Sequence, residues 1–341
     1  MSLRVAILHG AGYTGRELSG LVLAHPGLEL AMVTSRTFAG QPIGQVHPTL
    51  RGSTNVVFSA PDADGINELD AVFIAAEHGR GAVAAKQLVD AGFQGYIVDL
   101  SADFRLPEVA DYEARYDRAH PAPELAGSFQ YGMADLRSPY PAGTKRIANP
   151  GCFATGLALS LTPVARGLGS VKASVTALTG ASGSGARPSG TTHYPDREGN
   201  VRAYRIFSHQ HQAELAQLIG PESRVDFVPV SGPWTRGIWG TAHIHASADA
   251  SEVAGWFETA YADRPLVRLW PNQLPELRWS VGSPFCDLGW VVRDNAIVVG
   301  FGLDNLLKGA ATQAIHNLNL IAGLPETEGL LPAAGRPEVS L

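Results

Sequence analysis

At 341 residues, 45% hydrophobic and 17% charged, the chain has the make-up of a globular protein with a large core and room for two domains. A net charge of −6 gives no reason to expect nucleic acid or an anionic membrane as a partner. No apolar run reaches the roughly 18–20 residues that span a bilayer, and two cysteines are too few for a disulfide framework or a thiolate metal site, which fits a reducing cytoplasm.

Met1-Ser2-Leu3-Arg4 runs straight into Val5-Ala6-Ile7-Leu8, an apolar stretch of the kind found in buried parallel strands, so no leader peptide is expected. It feeds His9-Gly10-Ala11-Gly12-Tyr13-Thr14-Gly15, after which Arg16 to Leu23 has helical spacing. Strand, glycine turn and helix is the setting in which the glycines let the backbone approach a pyrophosphate at a helix N-terminus. Gly10, Gly12, Tyr13, Thr14 and Gly15 are therefore candidate cofactor-binding residues. The second strand, Leu28 to Val33, ends in Thr34-Ser35-Arg36. A site for NAD usually carries an acid here to hold the ribose 2′-hydroxyl. An arginine with two hydroxyl neighbours suits a 2′-phosphate instead, so Ser35 and Arg36 point to NADP(H). Apolar strands at 71–76 and 96–100 end at Glu77-His78-Gly79 and Ser101-Ala102-Asp103-Phe104-Arg105, and the helical stretch from Gly81 to Ala91 completes the βαβ pattern.

Asn149-Pro150-Gly151-Cys152 follows, leading into an apolar, helix-like run from Leu157 to Leu161. A cysteine there sits at a helix N-terminus, where the macrodipole and free N–H groups favour a thiolate, the nucleophile of acyl transfer. The alternative is a small buried hydrophobe. From residue 171 the pattern changes to alternation: Ala173 to Thr179 and Thr241 to Ala246, with short apolar strands at 290–292 and 297–299, reads as a largely antiparallel sheet. His243 and His245 share one face there, but without a third candidate ligand no metal site is expected. The polar stretch Gly180 to Arg187 is either a phosphate-gathering loop or a mobile linker. His209 and His211, at the start of the helical run Ser208 to Leu215, supply the acid–base partner that a nucleophilic cysteine needs.

Taken together, the Gly10–Gly15 loop, His47-Pro48, Asp99 to Arg105, Pro150-Gly151-Cys152, His209-Gln210-His211, Arg236-Gly237 and Asp304-Asn305-Leu306-Leu307-Lys308-Gly309 resemble the N-acetyl-gamma-glutamyl-phosphate reductase family, of the aspartate-semialdehyde-dehydrogenase-like superfamily. The resemblance spans nearly the whole chain. It implies an NADPH-dependent acyl-phosphate reductase with Cys152 as nucleophile. It also implies His211 as acid–base group, because the superfamily places that histidine in a His-x-x-Glu helix start, here His211 to Glu214. Arg105, Arg202, Arg236 and His209 become candidate substrate-binding residues, the arginines either clamping phosphate or carboxylate or forming ordinary ion pairs. Ser182, Gly183 and Asn305 join the cofactor side. Three departures stand out: His9 and Ala11 replace a glycine and a serine of the usual loop, Gln210 replaces an arginine, and Glu77 replaces a proline.

The resemblance implies a glyceraldehyde-3-phosphate-dehydrogenase-like α/β fold. An N-terminal Rossmann domain, parallel and doubly wound, is expected over 1–149 and 310–341. An α+β domain with a mixed or antiparallel sheet, carrying catalysis and oligomerisation, is expected over 150–309. Residues 304–309 are expected to open a long helix running through Asn317 and packing on the first domain, with Lys308 in its first turn facing an anion or solvent. The implied substrate is N-acetyl-L-glutamyl 5-phosphate. A sister branch reduces L-2-aminoadipyl 6-phosphate on a small acidic carrier protein, and Val46 to Gly52 and Pro195 to Gly199 look similar to it, which would give Arg51 and Arg197 a docking role. Rival readings are a non-catalytic NADP-binding regulator and an aldehyde-oxidising enzyme. A cytoplasmic homo-oligomer, dimer or tetramer, is expected.

Overall fold

The computed structural model describes residues 2–331. The chain divides into two compact units, one made of the residues up to 150 with the segment from 310, the other of residues 151–309.

In the first unit β1 (Leu3–Leu8), β2 (Leu28–Thr34), β3 (Phe58–Ser59), β4 (Ala71–Ile74), β5 (Tyr96–Asp99), β6 (Gln130–Tyr131) and β7 (Arg146–Ala148) form one sheet, ordered β3-β2-β1-β4-β5-β7-β6. Every neighbouring pair is parallel. Val5, Ala6 and Ile7 in β1 and Val72, Phe73 and Ile74 in β4 are fully buried, as strands covered by helices on both faces must be. The helices Tyr13–Ala24 and Arg80–Asp90 are crossovers, and the strand order reverses between β1 and β4, where the carboxyl ends of such strands open a ligand crevice. The fold is the Rossmann type. The helix Thr312–Ala322 packs on β5 and on the helix Tyr13–Ala24.

The second unit holds β8 (Lys172–Thr179), β9 (Arg202–Ala203), β10 (Arg224–Ser231), β11 (Ile238–His245), β12 (Val267–Pro271), β13 (Cys286–Arg293) and β14 (Ala296–Leu303), ordered β12-β13-β14-β11-β8-β10-β9. The sheet is mixed: β8 pairs with β10 and β12 with β13 in parallel, and the remaining pairs are antiparallel. Ala173, Val175 and Ala177 of β8 are buried, and the helix Cys152–Leu168 lies along β14 and β11. Every residue of that helix from 153 to 165 is buried, so it is a core helix, apolar on all sides. The apolar run at 157–161 is thus only its middle.

Two expectations are corrected here. The segment after β14 does not begin as an α-helix: a π-helical turn, Leu307–Ala311, precedes the helix Thr312–Ala322. Lys308 is fully buried, which excludes solvent, one of its two expected surroundings. Among the described residues no helix is long and apolar enough to cross a membrane, and no group of three or more His, Cys, Asp or Glu is placed to hold a metal ion.

Candidate active site

Gly151 is the N-cap of the helix Cys152–Leu168, in extended conformation and without a side-chain cap of its own. Cys152 is therefore the first helical residue, and its side chain is partly exposed, whereas Cys286 is buried in β13. The turn is held from outside. Glu214, 1% exposed, accepts the Gly151 N–H on Oε2 at 2.9 Å, satisfying one of the donors a helix N-terminus leaves open. Glu214 lies one turn into the helix His211–Ile219, and its Oε1 is 3.8 Å from Nε2 of His211, the first residue of that helix. The two helix starts meet so closely that a Cβ at position 151 would overlap the His211 ring. Glycine is required there by contact, since its φ of −72° would suit any residue.

His209 backs His211. Its Nδ1 accepts the His211 N–H at 3.3 Å, its ring centroid lies 4.6 Å from that of His211, and it is wedged edge-on against Phe153 and Phe227. Tyr204 packs edge-on against His209 at 5.9 Å. Burial first, and then any charge that Cys152 carries, push the Tyr204 phenol well above its ordinary range, so it stays protonated and keeps its O–H as a donor. Arg202, on the edge strand β9, is exposed, and its charge reaches Tyr204. Gln210 accepts a hydrogen bond from Arg205. Cys152, His211, His209, Glu214 and Tyr204 thus form one cluster. Sequence reasoning used Glu214 only to choose between the histidines and missed Tyr204, which no periodicity marks.

A second cluster lies at the end of β14. Asp304 is fully buried and pairs with Arg236 through two 3.1 Å contacts, Nε to Oδ2 and Nη2 to Oδ1. The same carboxylate accepts the N–H groups of Leu306, Leu307 and Gly282. Asn305 accepts the Gly237 N–H at 2.7 Å and bonds Ser182. The short helical turn Ala181–Ser184, which includes Gly183, hangs on the Trp234 and Thr235 carbonyls. The stretch read as a loop or linker is therefore pinned at this end. Arg197 is buried and donates to the carbonyls of Gly232 and Thr179, which removes it as a surface docking residue; Arg51 is exposed.

Within the first unit, Gly12 is the N-cap of the helix Tyr13–Ala24, which has neither a side-chain cap nor an acidic residue in its first turn. A Cβ at Gly15 would run into the Gly10 backbone, and one at Gly12 would meet nothing within 4 Å. The loop is thus packed tight beneath and open above, with uncapped N–H groups, which fits a dinucleotide pyrophosphate. Tyr13 carries Arg16 over its ring at 5.4 Å. The Ser35 hydroxyl accepts the N–H groups of Thr37 and Phe38 and shapes the turn that presents the exposed Arg36. Arg105 is 5% exposed and donates to the Asn149 and Leu100 carbonyls. His78, although exposed, accepts the Ala102 N–H on Nδ1 at 3.0 Å. Below it Asp103 accepts the N–H groups of Gly79 and Ala82, and Asp99 binds both the N–H and the hydroxyl of Ser101. Burial, and then the Asp103 carboxylate, push Asp99 up to about 7.

Comparison with known proteins adds the following. The semialdehyde dehydrogenase NAD-binding domain matches residues 4–138, and the semialdehyde dehydrogenase dimerisation domain matches residues 152–305. The chain is 39% identical to the N-acetyl-gamma-glutamyl-phosphate reductase of Methanosarcina mazei, over 98% of this chain and 99% of that protein. It is 36% identical to a Thermomicrobium roseum protein provisionally named a LysW-linked L-2-aminoadipate 6-phosphate reductase, over 97% and 98%. Among solved structures, aspartate semialdehyde dehydrogenase II of Vibrio cholerae superposes with a TM-score of 0.70 at 17% identity, covering 95% of this chain and 99% of that one, a likeness of fold.

Proposed function

The chain belongs to the N-acetyl-gamma-glutamyl-phosphate reductase family, and we propose that it reduces N-acetyl-L-glutamyl 5-phosphate to the 5-semialdehyde, releasing phosphate, with NADPH as reductant and Cys152 as nucleophile. The observation that carries this reading is the junction of two helix starts, in which one buried carboxylate holds the cysteine turn and faces the histidine. Arginine-branch relatives at 37–40% identity support the choice of substrate.

His211 takes the thiol proton as sulfur attacks the acyl carbon. The C–S bond forms, the C–O bond to phosphate breaks, and a thioester remains on Cys152. Glu214 stabilises the imidazolium and keeps its ring against Gly151. Helix N–H groups beyond Gly151 and the protonated Tyr204 are the donors for the oxyanion. When bound, the reduced nicotinamide supplies the hydride. The C–S bond then breaks to release the aldehyde, and His211 returns the proton to sulfur. Arg202 and Arg236 are the cations of this unit for the substrate's phosphate and carboxylate, with Arg236 held in place by Asp304. Gly10, Gly12, Tyr13, Thr14, Gly15, Ser35 and Arg36 hold the dinucleotide, aided by Ser182, Gly183 and Asn305. Residues 151–309 join copies of a cytoplasmic homo-oligomer.

The Thermomicrobium relative favours a second reading, reduction of carrier-linked L-2-aminoadipyl 6-phosphate. NADPH oxidation is to be followed with N-acetylglutamyl phosphate generated in situ and, in parallel, with the carrier-linked substrate. Turnover of the free substrate, lost by at least 10³-fold in Cys152→Ser, is expected. Turnover on the carrier alone would move the chain to the sister branch. Unimpaired turnover by the serine variant would sink the thioester route.

A further inference from the structure

His9 stands where the family's loop has glycine, and it adopts φ +57°, the left-handed region. That conformation costs a non-glycine residue roughly 1–2 kcal/mol, and strain retained beside a ligand crevice marks a place to look for a role. The residue directly follows β1, and its backbone is tied to the end of β2: its N–H donates to Thr34 Oγ1 at 3.1 Å, and the Gly10 N–H donates to the Thr34 carbonyl at 2.9 Å. The imidazole is half-buried. Three charged groups act on it: Arg36, two residues past β2, Arg80, at the start of the helix after β4, and, opposing them, Glu77 from the turn between β4 and that helix. The carboxyl ends of the neighbouring strands β2, β1 and β4 are thus each followed within a few residues by a basic side chain, with both arginines near enough for their charge to act on the His9 ring.

Burial first, and then Arg80 and Arg36, hold the imidazole below its ordinary range, which favours its uncharged form. Glu77 supplies one negative charge against the two guanidinium groups, so a further anion bound there would be stabilised by them and would favour the protonated ring. The end of β2 is where a Rossmann site reads the adenosine ribose, and the anion that can occupy that position is the 2′-phosphate. Resting on the NADP reading above, we propose that His9 reads this phosphate together with Arg36 and Arg80, taking up a proton as it binds. In this chain the glycine-to-histidine change is a specificity device and not a defect in the loop.

Titration calorimetry of NADPH and NADH between pH 6.5 and 8.5, in buffers of different ionisation enthalpy, tests this. NADPH is expected to bind with proton uptake and to tighten toward low pH, by at most about tenfold per unit for one proton, whereas NADH binds without either effect. His9→Gly relieves the backbone strain, so it is expected to fold at least as stably. It loses the proton uptake and weakens NADPH binding several-fold while leaving NADH unchanged. His9→Asn, which tolerates the same backbone but cannot take a charge, loses the pH dependence too. A glycine variant whose proton uptake and NADPH-to-NADH ratio match the wild type would overturn the assignment and leave the NADPH preference intact. Equal binding of both dinucleotides by the wild type would overturn the NADP reading itself and this assignment with it.

Discussion

Glu214→Gln separates the two tasks of one carboxylate. Glutamine keeps an amide oxygen to accept the Gly151 N–H, which the native side chain accepts at 2.9 Å, so stability is expected to change by no more than about 1 kcal/mol. What is lost is a unit negative charge 3.8 Å from His211 Nε2. At an effective dielectric constant of about 20, opposite unit charges at that distance attract by roughly 4 kcal/mol. If half a proton's charge resides on the ring in the transition state, about 2 kcal/mol is lost and kcat falls roughly 30-fold; full transfer raises the loss to roughly 10³-fold. Steady-state NADPH oxidation at saturating acyl phosphate reads this directly, with KM expected to stay within about threefold because the charge acts on the histidine. Glu214→Ala should lose stability as well, by about 1–3 kcal/mol, since it strands a buried N–H. A glutamine variant with kcat within threefold of the wild type would refute the electrostatic role and reduce Glu214 to a helix cap.

Tyr204→Phe removes the protonated phenol beside Cys152. A fall in kcat/KM of roughly 10²-fold is expected, as for loss of one oxyanion donor, and an unchanged value would place the hydroxyl outside the reaction. Asp99 gives a stability prediction with a definite sign. Its folded value of about 7 lies above the unfolded value near 4, so between these the folded chain holds a proton that the unfolded chain has released. Stability is fully present below about pH 4, declines as pH rises toward 7, and is level above that. Asp99→Asn should flatten this slope and raise Tm at pH 8 more than at pH 5; parallel Tm–pH curves for the two proteins would refute it.

How much of this was legible in the sequence depended on how local each signal is. A parallel strand covered on both faces must be apolar throughout, so Val5 to Leu8 and Ala71 to Ile74 announce themselves, and the glycine turn between β1 and its helix is set by residues a few positions apart. The second sheet is different. The alternation of β8 shows one buried face but not its neighbours, β10 in parallel and β11 antiparallel, which lie some fifty residues or more further on. Cys152 was visible because a Pro-Gly turn and a scarcity of cysteines singled it out. Glu214 could be marked by its spacing from His211, but its bond to Gly151 spans 63 positions. The solvated alternative for Lys308 failed for a related reason. Charge and position argued for a solvated first helical turn, and neither revealed the π-helical geometry that buries it.

That geometry also changes the argument about the nucleophile. A helix N-terminus offers about half a positive charge to a nearby anion, which from sequence favours a standing thiolate at Cys152. Glu214 places a full negative charge on the N–H just before the cysteine and so offsets that effect at the same spot. The helix start alone is therefore a poor reason for a resting thiolate here. What remains is the proton acceptor. His211, held against Gly151 and facing the carboxylate, gains from the charge that the sulfur does not want. In the proposed mechanism the thiolate therefore forms only as His211 takes the proton with the acyl carbon at hand.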